Sequence, residues 1–200
     1  MVNQAPTTRV AQKEATALAV LEAAREEFER AGFQGANLRA IAARAGVSAG
    51  TVLHHFADKR ELLHAALFDD LEATLERALA QPGPGPLEGQ LKRLTRAVFR
   101  YYQRRPALSR ALLKESLFAE GVWARRFTAQ VGRTHAVVTR LTEEAVRRGE
   151  LTRGTKGPLL AAAWCSFFSF GLISWVQGGQ ANPAALVERL VAQHLDGSRP

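Results

Sequence analysis

Between Leu38 and Phe56 the chain reads LRAIAARAGVSAGTVLHHF, and three of its positions leave the backbone little choice. Ala42 has to be small where one helix crosses another, Gly46 supplies a turn conformation that residues with a Cβ resist, and Val52 joins Ile41 and Val47 in a small core. That spacing fits two short helices, Leu38 to Ala45 and Ala49 to His55, joined by a tight turn. Asn37 and Ser48 stand where a side-chain oxygen caps each helix by accepting an orphan backbone N–H. With Ala42, Gly46 and Val52 turned inward, Ser48, Ala49, Thr51, His54 and His55 are left on the outer surface or at its edge. In a helix-turn-helix that surface enters the major groove of DNA, its N-terminal residues nearest the base edges.

The remaining sequence also reads as helix, since Leu, Ala, Arg and Glu dominate and no period-two run of β-branched residues appears. A first helix is expected from Thr8 to Ala31, with Leu18, Leu21 and Phe28 on one side and Gly32 stopping it. Asp58 and Glu61 form a capping-box pattern ahead of a fourth helix, in which Leu63, Leu67, Leu71 and Leu75 recur every four residues. The stretch QPGPGPLEG at 81–89 interrupts it. Helices then follow at 87–104, 106–119, 122–148, 157–177 and 183–195, punctuated by Pro106, Gly121, Gly149, Pro158 and Pro183. The expected architecture is all-α with about nine helices. It comprises a helix-turn-helix domain over 1–57, a connecting helix over 58–80, and a helical ligand-binding and dimerisation domain within 58–200.

Residues 16–67, and above all IAARAGVSAGTVLHHFADKRELLHAAL, resemble the DNA-binding domain of the TetR family of transcriptional regulators. The likeness covers about a quarter of the chain. It rests on a first helix ending in Phe28 and Gly32, then Ile-Ala, Ala-Gly-Val-Ser, Gly-Thr, an aromatic-rich HF, and Lys and Glu opening the fourth helix. The resemblance implies that Arg39, Ser48, Thr51, His54, His55 and Lys59 contact DNA. Lys59 and Thr51 would hold phosphates, while Arg39 and the Ser48, Ala49 and Gly50 region would lie nearer the bases. Two positions depart from the family pattern. Leu53 replaces a tyrosine that binds a phosphate in most members, so that contact is missing or supplied by His54. Asn37 replaces a capping threonine and caps equally well.

Adjacent residues on a helix point about 100° apart, so His54 and His55 cannot readily chelate one ion. No metal or other cofactor is expected. The sole cysteine, Cys165, excludes an internal disulfide and lies in an apolar run as a small buried hydrophobe. The net charge of +8 suggests a polyanionic partner, yet the chain to Ala80 holds 9 Lys and Arg against 11 Asp and Glu. The basic excess lies beyond it. Locally, Arg39, Arg44, Lys59 and Arg60 face only Asp58 between Asn37 and Arg60. The N-terminus has no apolar core with a cleavage site, so a cytoplasmic protein is expected. The 18 uncharged residues from Leu159 to Val176 are at the lower edge of a membrane span. They read instead as a helix buried on all sides, in a core and a subunit interface.

Eleven of the 15 aromatic residues lie between Phe99 and Trp175. Large rings usually fill core, but Tyr102, Leu113, Leu117, Trp123, Phe127, Val131, Trp164, Phe167 and Phe168 are candidates to line a pocket for an apolar or amphipathic effector. Arg104, Arg105, Arg110, Lys114, Arg125, Arg126 and Arg133 admit two readings, a solvated face or a mouth for an anionic head group such as that of a fatty acyl thioester. Other hydrophobic or aromatic effectors remain open. A palindromic operator calls for a two-fold dimer, for which helices 157–177 and 183–195 are the best candidates; family members similarly pair through their last two long helices. The rival readings are a small hydrolase using Ser109 or Ser116 with His135, which no G-x-S-x-G elbow supports, and a sequence-indifferent DNA-binding protein.

Overall fold

A computed structural model describes residues 8–116 and 120–200. Among them it contains nine α-helices: α1 (Thr8–Gly35), α2 (Leu38–Arg44), α3 (Ala49–His55), α4 (Lys59–Ala80), α5 (Leu87–Arg104), α6 (Pro106–Ser116), α7 (Gly121–Arg147), α8 (Gly157–Val176) and α9 (Pro183–Asp196). The all-α expectation holds. The chain divides into two compact units, Met1–Asp70 with Arg105–Leu117, and Leu71–Arg104 with Phe118–Pro200. Helix α4 starts in the first and ends in the second.

In the first unit α1 runs past Ala31, but Gly32 adopts φ 68° and ψ 174°, so the regular helix breaks where the glycine predicts and a short turn follows. Its buried face is Val20, Ala23, Ala24, Glu27 and Phe28, whereas Leu18 is 66% exposed, contrary to the expected apolar side. Leu18 lies on the outer side of the first turns of α1, where residues 10–15 are all exposed. Phe28, Ile41, Ala42 and Val52 form the core, joined by Leu62, Leu63 and Ala66 of α4 and by Leu108 and Leu112 of α6. Three polar ties fasten α6. Arg105 pairs with Glu22 at 3.1 Å, Arg60 with Glu115 at 2.7 Å, and the Glu29 carboxylate accepts the backbone N–H of Leu108 at 3.0 Å.

In the second unit the loop at 81–86 is clipped to α5. The Arg93 guanidinium donates to the carbonyl of Pro82 at 2.8 Å and to that of Pro84, and Gln90 Nε2 donates to Gly83 at 2.9 Å. Helices α7 and α8 run antiparallel, with His135 meeting the Pro158 carbonyl at 3.0 Å. Helix α9 lies against α5 and α8, tied by a two-pronged Arg96–Glu188 pair at 2.6 and 2.7 Å. Helix α8 is expected to be covered by its own core together with a partner subunit. Within one chain only a single side is buried, through Leu160, Ala161, Trp164, Gly171 and Trp175, while Leu159, Phe170 and Ile173 are exposed. Its length and apolarity alone would suffice to cross a membrane.

Candidate nucleic-acid interface

Local chemistry fixes the two short helices. Asn37 Oδ1 accepts the N–H of Arg39 at 2.8 Å, capping α2, and Ser48 Oγ accepts that of Thr51 at 3.0 Å, capping α3. Between them Gly46 has φ 69°, a conformation costly for any residue with a Cβ. Ile41, Ala42 and Val52 are buried beneath the turn and Val47 is half-buried, so the sequence spacing describes the packing.

The inward anchoring leaves one face of α3 uncovered. Gly50, Leu53 and His54 are exposed, Ala49, Thr51 and His55 are half-buried, and Ser48 and Arg39 are exposed beside them. The Ser48 and Thr51 hydroxyls lie 2.9 Å apart and share one hydrogen bond, which leaves one of the two protons for an outside acceptor. The His54 and His55 rings meet edge to face at 5.8 Å. Burial, then the charge of His54, then that of Lys13 hold the His55 imidazole below its ordinary pKa, favouring the neutral ring. Lys13, on α1, is near enough to add to that shift; lying far away in sequence, it gave no local signal.

Lys59 opens α4 at the edge of this face, and its ammonium has structural work as well. It donates to the carbonyls of Gln34 and Ala36 at 3.3 and 3.2 Å and sits 4.8 Å over the Phe33 ring. One of its three protons is left for a phosphate. The start of α4 carries the expected reciprocal cap: Asp58 accepts the N–H of Glu61 at 2.7 Å, while Glu61 reaches back to Ala57 at 2.6 Å. Glu61 engages the residue before the cap rather than the cap itself.

The candidate effector residues are distributed over both units. Leu113 is buried on α6 in the first unit, and Leu117 lies outside the described residues. In the second unit Trp164 stacks on Phe168 at 5.3 Å, and Phe168 meets Phe99, a ring the sequence reading left out, at 4.6 Å. Tyr102 is buried on α5, its hydroxyl pushed well up by desolvation. Trp123 is half-buried beneath the Arg126 guanidinium, and Phe127 is half-buried nearby on α7. Phe167 packs edge to face on His194 of α9. Val131 is 42% exposed, so the inward face of α7 is formed by Gln130 and Thr134 instead. The guanidinium groups of Arg126 and Arg133 both pair with Glu72. Cys165 is half-buried, with its thiol pKa raised by burial.

A capped helix-turn-helix with an uncovered second helix, on an all-helical chain, defines a DNA-binding regulator of transcription. Residues 20–66 match the family model described as bacterial regulatory proteins, tetR family. The transcriptional repressor KstR of Rhodococcus jostii is 29% identical over 188 residues, spanning 90% of this chain and 83% of that protein. The transcriptional regulator UidR of Escherichia coli is 30% identical over 146 residues, 66% of this chain and 67% of its own. The chain belongs to the TetR family. Its fold is also that of FadR from Bacillus subtilis, solved in complex with stearoyl-CoA, with a TM-score of 0.71, 17% identity and coverage of 90% and 98% of the two chains. These relatives are regulators, a non-enzymatic class.

Proposed function

We propose that this chain is a cytoplasmic, homodimeric repressor that holds a palindromic operator and releases it when a small apolar or amphipathic effector enters the helical unit. The carrying observation is the face of α3: capped at its first turn by Ser48 and anchored from behind by Val52, it presents Ala49, Gly50, Thr51 and His54 outward. Arg39 and the 48–50 region read bases, while Thr51, His54, His55 and Lys59 hold register and backbone. A single such helix reads only a few base pairs, so two copies about 34 Å apart, or a multiple of it, supply the specificity.

The dimer forms through α8 and α9. Leu159, Phe170 and Ile173, with Ala162 and Ser166 between them, make an apolar stripe at helical spacing on the side of α8 that one chain leaves uncovered. A second copy related by two-fold symmetry offers the same stripe in return. Residues 1–57 act as the reading domain, 58–80 as the connection, and the rest of the chain as effector and dimer module. Ligand binding shifts α4, which belongs to both, and a few kcal/mol of preference between its two positions is enough to release an operator.

An acyl thioester suits the aromatic interior and the surrounding arginines. KstR of R. jostii, a named repressor, and FadR of B. subtilis with its stearoyl-CoA support the polarity and the ligand class. The test is affinity for the duplex upstream of this protein's own gene against an unrelated duplex, at two salt concentrations. Specific readout means roughly a thousandfold preference. Equal binding with a steep salt dependence would leave only polyanion attraction. Titration of the specific complex with acyl-CoA of increasing chain length then measures release.

A further inference from the structure

Three buried polar groups of the second unit have no hydrogen-bond partner among the described residues: Gln130 Nε2 on α7, Trp164 Nε1 on α8 and Thr95 Oγ1 on α5. The residues are 5%, 3% and 1% exposed, out of reach of solvent and of a partner subunit. Leaving such a group buried without a partner is destabilising. Other threonines of this unit avoid that cost, since Thr134 and Thr142 donate back to the carbonyls of Gln130 and Val138 at 3.0 and 2.8 Å. Two further stranded atoms, Gln90 Oε1 and Thr139 Oγ1, lie elsewhere, by the loop clip and at the start of α8.

Helix register brings the three groups to nearby levels of the unit. Gly157 at the start of α8 touches α7 so closely that a Cβ would come within 3.0 Å of the Thr139 carbonyl, which fixes the register of the antiparallel pair. At 1.5 Å per residue, Trp164 lies about 10 Å along α8 from that anchor and Gln130 about 14 Å along α7, within one turn of each other. Trp164 stacks on Phe168, Phe168 meets Phe99 at a tilt, and Thr95 is one turn from Phe99 on the same helix. Trp164 and Thr95 therefore lie near the two ends of one chain of rings, and Gln130 lies at the level of Trp164 on the neighbouring helix.

Their chemistry selects a ligand. An indole N–H can only donate, and the free end of Gln130 and the Thr95 hydroxyl can donate as well. No Lys or Arg is buried among the described residues, so a carboxylate placed here would be an unpaired interior charge. We propose that Gln130, Trp164 and Thr95 form a receptor for a neutral hydrogen-bond acceptor, the carbonyl oxygen of a ketone, ester or thioester carried on an apolar frame. This rests on the reading of the second unit as the effector module. In an acyl thioester the group received here is the thioester carbonyl, with the charged head group left outside.

The test uses the full chain, its Gln130→Leu and Thr95→Val variants, and three probes at equal fractions of their aqueous saturation: 2-nonanone, n-nonane and nonanoate. Each substitution removes an unpaired polar group at nearly constant volume, so both ligand-free variants should melt higher than wild type. 2-Nonanone should bind wild type about tenfold tighter than nonane or nonanoate, and Gln130→Leu should remove most of that preference. Lower melting temperatures in both variants would mean that the groups are paired in solution, and the receptor would be refuted. Equal binding of ketone and alkane would also overturn it while leaving an apolar effector pocket intact. If no probe binds and acyl-CoA fails to release the operator, the effector reading falls with it.

Discussion

The Glu29 carboxylate, on α1, closes the N-terminus of α6: Oε2 accepts the N–H of Leu108 at 3.0 Å and Oε1 that of Ala107 at 3.4 Å. The preceding residue is Pro106, which has no N–H to satisfy, so one side chain serves two of the exposed donors of that turn. The negative charge also matches the positive end of the helix dipole. Glu29→Ala should cost about 1–2 kcal/mol. Glu29→Gln, which keeps an acceptor and loses the charge, should cost less than half of that. Thermal unfolding of both variants reads the difference, and an Ala variant as stable as wild type would mean that the α1–α6 tie carries no energy.

Lys59 predicts a double effect. Its ammonium bridges the carbonyls of Gln34, in the last turn of α1, and Ala36, just beyond it, at the edge of the proposed DNA surface. Lys59→Ala should therefore lower stability by roughly 1–2 kcal/mol and weaken binding to every DNA sequence, reducing the salt slope by about one. Fluorescence anisotropy at several salt concentrations measures the second effect. An unchanged slope would assign Lys59 to those carbonyls alone.

Gly50 separates fold from readout. It has an ordinary helical φ, and an added Cβ would meet only Ser48 Oγ, at 3.6 Å, so nothing in the fold requires glycine there. Gly50→Ala should stabilise α3 by roughly 0.5–1 kcal/mol. Operator affinity and base preference should nonetheless change, because the methyl group projects from the groove face. A variant that gains stability and keeps wild-type selectivity on a randomised operator pool would remove residue 50 from the interface.

The reading unit was legible because its constraints are local. Asn37, Ser48 and Asp58 cap helices a few residues away, Gly46 acts through its own backbone, and Ala42 and Val52 meet across one turn. Most helix limits beyond it were also legible, from proline, glycine and four-residue leucine spacing. Long-range partnerships were not. Periodicity marks 106–119 as a helix but cannot say that it packs on α1, and it placed Leu18 inside when the first turns of α1 lie open. For α8, whose apolar residues run all round, pattern alone could not tell the chain's own core from an uncovered stripe. Phe99 and Gln130 were missed for the same reason: their significance lies in what three different helices bring together.

Acidification should destabilise the protein before its carboxylates titrate. His64 is buried on α4, and burial holds its pKa below the ordinary 6.5; the nearby charges are Glu115, which opposes the shift, Arg60, which adds to it, and Asp58, which opposes it. His55 is shifted the same way. Between 6.5 and the folded values the unfolded chain binds more protons, so stability falls as pH drops through that window. Glu22 and Glu88 act lower down: hydrogen bonds chiefly from Arg25 and Lys92, respectively, depress their pKa values, and their contribution is lost only below 4.5. Melting temperature should decline from about pH 7 to pH 5, and His64→Gln should flatten that decline. A flat wild-type profile over this range would show that neither histidine resists protonation.

Two helical glycines should respond oppositely to alanine. At Gly132 on α7 a Cβ would meet nothing within 4 Å, so Gly132→Ala should gain about 0.5–1 kcal/mol from reduced backbone freedom in the unfolded chain. At Gly171 on α8 the same atom would lie 2.7 Å from Val187 Cγ2 and 3.2 Å from Phe99 Cζ. Overpacking costs about 1–3 kcal/mol and outweighs the propensity gain, so Gly171→Ala should lower stability by roughly 1–2 kcal/mol. Adding Val187→Ala to Gly171→Ala should recover part of the loss, because it removes the side chain in closest conflict. Denaturant melts of the two single variants and the double variant test this. If Gly171→Ala stabilised the chain as Gly132→Ala does, α9 would not be held against α8 at the distance that glycine permits.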